Sequence, residues 1–140
     1  MNSFTNFENF KNSVKFNKER YDLGIKAEKE QLNTLQQFFK DDSIIPLPEG
    51  SHFDFEGNNL LIELKSRRCN RLTFCDTAIG VQKILYAKEC QQDVYFVFKF
   101  FNGLYYWKYD LTIDLRLGKI TTSGIPHWFI PVEKLTPLKV

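Results

Sequence analysis

Apolar positions recur along this chain in two rhythms, and the switches between them mark the predicted elements. From Asp22, a suitable helix N-cap, the run LGIKAEKEQLNTLQQFF sets Ile25, Leu32, Leu35 and Phe39 in one arc of a 3.6-residue helix. This first helix is expected to end near Lys40, where Asp41, Asp42 and Ser43 interrupt the period. Alternation then takes over. A short Ile44-Ile45 strand leads into the turn Pro46-Leu47-Pro48-Glu49-Gly50, and the runs SHFDFE and NLLIELK, joined at Gly57-Asn58, predict a tight hairpin. The polar loop SRRCNRLTFCD precedes an expected second helix over residues 76–90. DVYFVFKFF and LYYWKYD flank Asn102-Gly103 and predict a second hairpin. Past Asp110, LTIDL and HWFIPV read as short strands, with Pro131 suited to an edge or a strand end.

The resulting order is α, a short β, β, β, α, β, β and a β-rich tail, which is the α/β class. A chain of 140 residues, 43% of them hydrophobic, is enough for one domain with a genuine core. Residues 1–20, rich in Asn and Lys with scattered Phe, read as a short helix, an arm or a tail, and no function is assigned to them. Residues 22–110 form the expected core and 111–140 a C-terminal extension. No run approaches the roughly 20 apolar residues of a membrane helix, and the N-terminus lacks a signal-peptide core, so a soluble intracellular protein, cytoplasmic or nuclear, is expected. Three cysteines, odd in number and without CxxC spacing, speak against a disulfide framework or a zinc site.

Net charge is only +2, too small to announce a nucleic-acid partner by itself. Its distribution says more. Between Glu63 and Lys88 the chain carries Lys65, Arg67, Arg68, Arg71, Lys83 and Lys88 against Glu63 and Asp76, a local +4. That stretch is either a phosphate-facing surface or a solvated basic loop.

Strand alternation sets Glu63 and Lys65 on one face, with Ile62 and Leu64 on the other, and the hairpin brings Asp54 alongside. Two carboxylates and a backbone carbonyl are oxygen ligands suited to Mg²⁺ or Mn²⁺, and such an ion activates water and polarises a phosphodiester. Lys65 can position the attacking water or stabilise charge developing on phosphate. In helix one, Glu28 falls inside the apolar arc, where a charge needs a partner. In the second helix Gln82, Lys83 and Tyr86 share one arc, with Ala78, Val81, Ile84 and Leu85 on the remainder. Gln82 can orient a water or base, Lys83 can meet a phosphate, and Tyr86 can stack or donate its hydroxyl. A polar face covered by solvent is the plainer reading of the same three.

Other residues carry less. His52 faces the same side as Asp54, but with only His127 besides it there is no histidine cluster, and both read as surface or satisfied core groups. The aromatic hairpin FVFKFFNGLYYWKY packs a core more readily than it stacks bases, with Tyr105, Trp107 and Tyr109 alternating on one face.

At these positions the chain resembles the PD-(D/E)xK nuclease superfamily, whose restriction-endonuclease-like, three-layer core runs α-β-β-β-α-β around a mixed sheet. The matching residues are Glu28 in GIKAE, Asp54 in HFDF, and Glu63 with Lys65 in IELK. Gln82-x-x-x-Tyr86 is similar to the QxxxY element of the exonuclease-like branch. The likeness spans about residues 22–101, and Phe53 stands where many members have Pro. The resemblance implies a metal-dependent nuclease in which Asp54, Glu63 and the Leu64 carbonyl bind Mg²⁺ or Mn²⁺. Lys65 then serves the nucleophile, and Glu28 contributes through a water in the metal's shell. Arg67, Arg68, Lys83 and Tyr86 are the expected nucleic-acid contacts. DNA is favoured over RNA, because helix one lacks the histidine that viral RNA-cleaving relatives carry. A homodimer is compatible with such an enzyme, and Trp128 with Phe129 either build that interface or cap the core. Two rival readings are a nuclease-like fold kept only for binding nucleic acid or a protein, and a structural protein in which Glu63 and Lys65 form a salt bridge.

Overall fold

The computed structural model describes residues 29–110, 112, 115–119 and 124–139. The expected N-cap Asp22, Ile25 and Glu28 lie outside the described residues, as do Leu111, Ile113 and Asp114 of the anticipated LTIDL strand. Contacts divide the chain into two units, Met1–Leu35 and Gln36–Val140. Of the first, residues 29–35 are described and are helical. The account below concerns the second.

Helix α1 spans residues 29–39 and stops where the sequence pattern expects it to. Lys40 turns left-handed at φ 51°. Its N–H donates to the Gln37 carbonyl at 3.3 Å, and the Asp41 N–H donates to the Gln36 carbonyl at 3.0 Å. Those two bonds satisfy carbonyls that the helix end would otherwise orphan, the Schellman closure. Asp41 then does more than break a helix. Its carboxylate accepts from the Ser43 N–H at 2.9 Å and from the Asn58 N–H at 2.7 Å, tying the helix exit to the next hairpin loop.

The main sheet has six strands: β1 (Ile45–Pro46), β2 (Phe55–Gly57), β3 (Leu60–Ser66), β5 (Asp93–Phe100), β6 (Gly103–Lys108) and β9 (Thr136–Pro137), adjacent in that order. It is mixed: β3 and β5 run parallel and every other pair is antiparallel. The parallel pair needs a crossover, and residues 67–92 supply it through β4 (Asp76–Gly80) and helix α2 (Val81–Glu89). Strand β4 joins a second, three-stranded sheet with β8 (Pro126–Pro131) in the middle and β7 (Arg116–Lys119) beyond it. The chain is thus a mixed α/β fold dominated by strands. Among the described residues no helix is long and apolar enough to cross a membrane.

Strands β3 and β5 are the centre of the sheet, and their near-continuous apolar sequences fit burial on both faces. One face carries Leu61, Glu63 and Lys65 in register with Val94, Phe96 and Phe98. This face meets Ile79 of β4, Ala87 of α2 and Ile130 of β8 in the main hydrophobic cluster. On the other face, Tyr95 and Tyr106 receive the last turn of α1, Phe39 at 4.7 Å and Phe38 at 5.2 Å between ring centroids. Phe55, Phe96 and Phe98 are fully buried, and each contributes about 1.5–3 kcal/mol from removing its ring from water. Trp107 is buried, with Tyr105 and Tyr109 packed beside the cluster, so this alternating aromatic row serves the core.

Several features differ from the sequence reading, among them the first short strand, which is Ile45–Pro46 and not Ile44-Ile45. The second helix begins at Val81, and residues 76–80, expected as its first turn, form β4. Thr77 and Ile79 are buried in alternation and pair with Ile130 and Trp128, so a partner strand some 50 residues away overrides local helical periodicity. Within α2 only Ala87 is fully buried, while Leu85, expected on the apolar side, is exposed. The first hairpin turns at Asn58-Asn59, not Gly57-Asn58; Asn59 takes φ 60° and Gly57 is the last residue of β2, opposite Leu60. The second turns at Phe101-Asn102, not Asn102-Gly103, because Gly103 is the first residue of β6 and pairs with Phe100. The C-terminal residues are woven into the structure: β9 pairs with β6, and Val132 and Leu135 enter the main cluster. Trp128 and Phe129 lie half-buried in the central strand of the small sheet.

Gly57 is glycine for want of space: a Cβ there would lie 2.6 Å from Asp41 Oδ2 and 2.7 Å from Ile44 Cγ1. Gly57→Ala is expected to destabilise by about 1–3 kcal/mol in urea unfolding, the usual range for overpacking. Gly80→Ala, whose new methyl meets nothing within 4 Å, should cost far less.

Candidate active site

Glu63 organises the site. Alternation along β3 aims it at the same face as Leu61, so a carboxylate enters an apolar surface and is only 4% exposed. Two ammonium groups answer it: Lys65 Nζ lies 3.3 Å from Oε1 and Lys83 Nζ 3.2 Å from Oε2. Neither compensates fully. Lys83 donates to the carbonyl of His52, and Glu63 Oε2, although within ion-pair range, is buried without a hydrogen bond from any described group. Burial therefore pushes the Glu63 carboxyl above its usual range, and the nearby Asp54 carboxylate adds to the rise. Lys65 and Lys83 pull it back only in part.

Asp54 sits one residue before β2, on the extension of the hairpin. Its N–H donates to the Ile62 carbonyl at 2.9 Å, which carries the pairing past Phe55↔Ile62 toward Glu63. Its Oδ2 accepts the Leu64 N–H at 2.7 Å. Asp54, Glu63, Leu64 and Lys65 are thus brought together by one hairpin, as the spacing suggests, although Asp54 belongs to the loop rather than to a strand. Asp54 is exposed while Glu63 is buried, so the pair joins a solvent-facing acid to a desolvated one.

Helix α2 closes the other side. Its first turn carries Lys83 over the Phe53 ring, 5.7 Å from the centroid, and toward Glu63. Phe53 occupies the position before Asp54 as a buried core side chain. Tyr86 stacks on His52 with ring centroids 3.6 Å apart and donates its hydroxyl to Gln82 Oε1 at 3.3 Å. Gln82 is exposed. His52, set aside from sequence for want of a histidine cluster, therefore touches the site twice, by its ring and by its carbonyl. The available signal was the alternation that aligns it with Asp54.

The remaining expected residues fall elsewhere. Arg67 donates from Nε to Thr77 Oγ1 at 3.0 Å and from Nη2 to the Ala78 carbonyl at 2.6 Å, bracing β3 against β4. Its burial lowers the guanidinium's affinity for the proton. Arg68 is exposed on the loop beyond. Glu28 lies outside the described residues.

The donor set suits a hard divalent cation such as Mg²⁺ or Mn²⁺: carboxylate oxygens from Asp54 and Glu63, with the Leu64 main chain between them. Glu63 Oε2 is the observation that bears on such an ion most directly: it is buried, meets Lys83 Nζ at 3.2 Å as an ion pair without a well-formed hydrogen bond, and keeps a raised pKa despite both lysines. Among the described residues no cluster of three or more His, Cys, Asp or Glu side chains accompanies this pair.

A raised folded-state carboxyl pKa means that the native protein holds this proton more tightly than the unfolded chain. The associated stability is full at low pH, below the unfolded value, and is lost as pH rises through the folded value. In chelator, Glu63→Gln is expected to match the unmodified protein at low pH and to exceed its melting temperature at neutral pH. A lower melting temperature at neutral pH would show that the two lysines more than offset the burial of the charge.

No protein-family model matches the chain and no curated protein matches it, so the chemistry of this site rests on its own residues.

Proposed function

We propose that this chain is a metal-dependent nuclease of the PD-(D/E)xK kind, built on a restriction-endonuclease-like core and hydrolysing phosphodiester bonds in DNA. The observation that carries the reading is Glu63: a buried, under-compensated carboxylate beside a solvent-facing Asp54, with Lys65 two residues along the same strand face. A fold gains nothing in stability from two converging carboxylates, but an oxygen-ligated cation requires them. The mixed sheet with a parallel β3–β5 pair and its helical crossover supports the same reading. The preference for DNA rests on the resemblance and on the absence of histidine from helix one.

In this proposal Asp54, Glu63 and the Leu64 carbonyl would hold Mg²⁺ or Mn²⁺. The ion supplies Lewis-acid chemistry, polarising the phosphodiester and acidifying water. Lys65, about one-third exposed, keeps its ammonium free enough to meet the charge that develops on phosphate oxygens or to position the attacking water. Gln82 is held by Tyr86 and orients that water or a base. Lys83 holds Glu63 until the ion and substrate share its charge.

One observation favours a second reading. Glu63 already bridges Lys65 and Lys83, as a structural ion cluster would. Lys65→Ala separates the two. In the nuclease it should lower kcat by about 10²-fold or more, with Mn²⁺ binding and substrate affinity little changed, measured by single-turnover cleavage and calorimetry. In a structural cluster the same substitution lowers melting temperature and there is no cleavage to lose. Metal provides an independent check: Asp54→Asn should retain the melting temperature seen in chelator yet lose the rise that Mn²⁺ confers on the unmodified protein. A metal-independent fall in stability would instead make Asp54 a structural carboxylate through its bond to the Leu64 N–H.

A further inference from the structure

Beyond Lys65 the surface opens into a cleft of about 630 Å³ between the end of β3 and the small sheet. Its lining includes Lys65 and Arg67 from the end of β3, Arg116 and Phe129 from the small sheet, and Phe74. A smaller cleft of about 220 Å³ adjoins it, sharing Arg67, Phe74, Asp76 and Thr77 and adding Arg68 and Arg71. Phe74 thus borders both clefts. It is 64% exposed, so its ring face is open to a ligand.

The charge around Phe74 is one-sided. Five cations, Lys65, Arg67, Arg68, Arg71 and Arg116, border the two clefts. The acid that lines both, Asp76, is already bonded to Arg116 at 2.9 Å. Arg67 has its Nε and Nη2 committed to β4 and lends field more than hydrogen bonds. Arg68 is exposed, whereas Arg71 donates from Nη1 to the Val132 carbonyl at 3.2 Å and lies over the Tyr105 ring, so it too lends field more than hydrogen bonds. Arg116, bonded to Asp76 through one nitrogen, lies over the Phe129 ring at 4.4 Å and remains largely exposed. An exposed aromatic ring amid guanidinium groups is complementary to a polyanion that presents flat, unstacked faces. A duplex hides those faces in its own stack, whereas an unpaired strand offers one at every nucleotide.

We propose that this cleft binds an unpaired DNA strand, with a base stacked on Phe74 and phosphates met by Arg68 and Arg116. The strand would then lead directly to Lys65 and the Asp54–Glu63 pair. This deepens the nuclease reading and rests on it for the direction of the strand. Substrate preference follows: single-stranded ends, flaps or gaps over continuous duplex.

The test is fluorescence anisotropy in Ca²⁺ with the full chain, using a labelled oligothymidylate and a blunt hairpin duplex of equal phosphate count. The single strand should bind at least about tenfold more tightly. Phe74→Ala should weaken single-strand binding by about tenfold, leave the duplex nearly unchanged, and be rescued by Phe74→Trp. Arg68→Ala should weaken binding across sequences and reduce the salt dependence by about one phosphate contact. Since Phe74 is exposed, melting temperature controls for folding. Equal affinity for duplex and single strand, or single-strand binding indifferent to Phe74→Ala, overturns the proposal. Cleavage in Mn²⁺ is scored separately. Phe74-dependent binding without cleavage sinks the nuclease reading and leaves the cleft intact, whereas cleavage with Phe74-independent binding does the reverse.

Discussion

A carboxylate buried in a phenylalanine-rich sheet face is the constraint around which the rest of this structure is arranged. Glu63 lies in register with Phe96 and on the same side as Leu61, where an isolated charge is expensive. Its neighbours can be understood as answers to that expense. Lys65 follows it on the same strand face, and Lys83 reaches across from α2. The compensation is incomplete, and the burial and the adjoining Asp54 keep the carboxyl pKa high. A carboxylate held in this condition gains little stability from its ion pairs relative to what its burial costs.

Positioning the cluster requires elements that are distant in the chain to agree. Asp41, at the exit of α1, fixes the hairpin loop through the Asn58 N–H, and Gly57 leaves room for that approach. The hairpin in turn sets Asp54 beside Leu64 and Glu63. The crossover between β3 and β5 brings α2 over the same face, where Lys83 and Tyr86 meet the Phe53–Asp54 segment through His52. Residues outside the cluster thereby control the separation of those within it.

The second sheet gives the crossover a further role. By pairing β4 with β8, it braces Arg67 and lines the same cleft as Lys65. The basic stretch between Glu63 and Lys88 is consequently split by structure. Lys83 turns inward to Glu63, Arg67 braces β4, and Arg68 stays exposed on the cleft beside Phe74. Arg116, more than 25 residues past that stretch, joins the same surface.

Local pattern was sufficient for much of this. The end of α1, the presence of both hairpins, though each turns one residue away from the predicted pair, and the juxtaposition of Asp54, Glu63 and Lys65 follow from periods of 3.6 and 2, because each depends on neighbours within about ten positions. Tertiary structure alone decided that residues 76–80 form a strand, since the force acting there is pairing with β8, which local periodicity does not encode. It also decided the partners of the cations. Whether Lys83 faces solvent or Glu63, and whether Arg67 meets a phosphate or Thr77, depends on which surfaces the crossover brings together. Sequence specified the charged groups; packing determined which of them remain free to act.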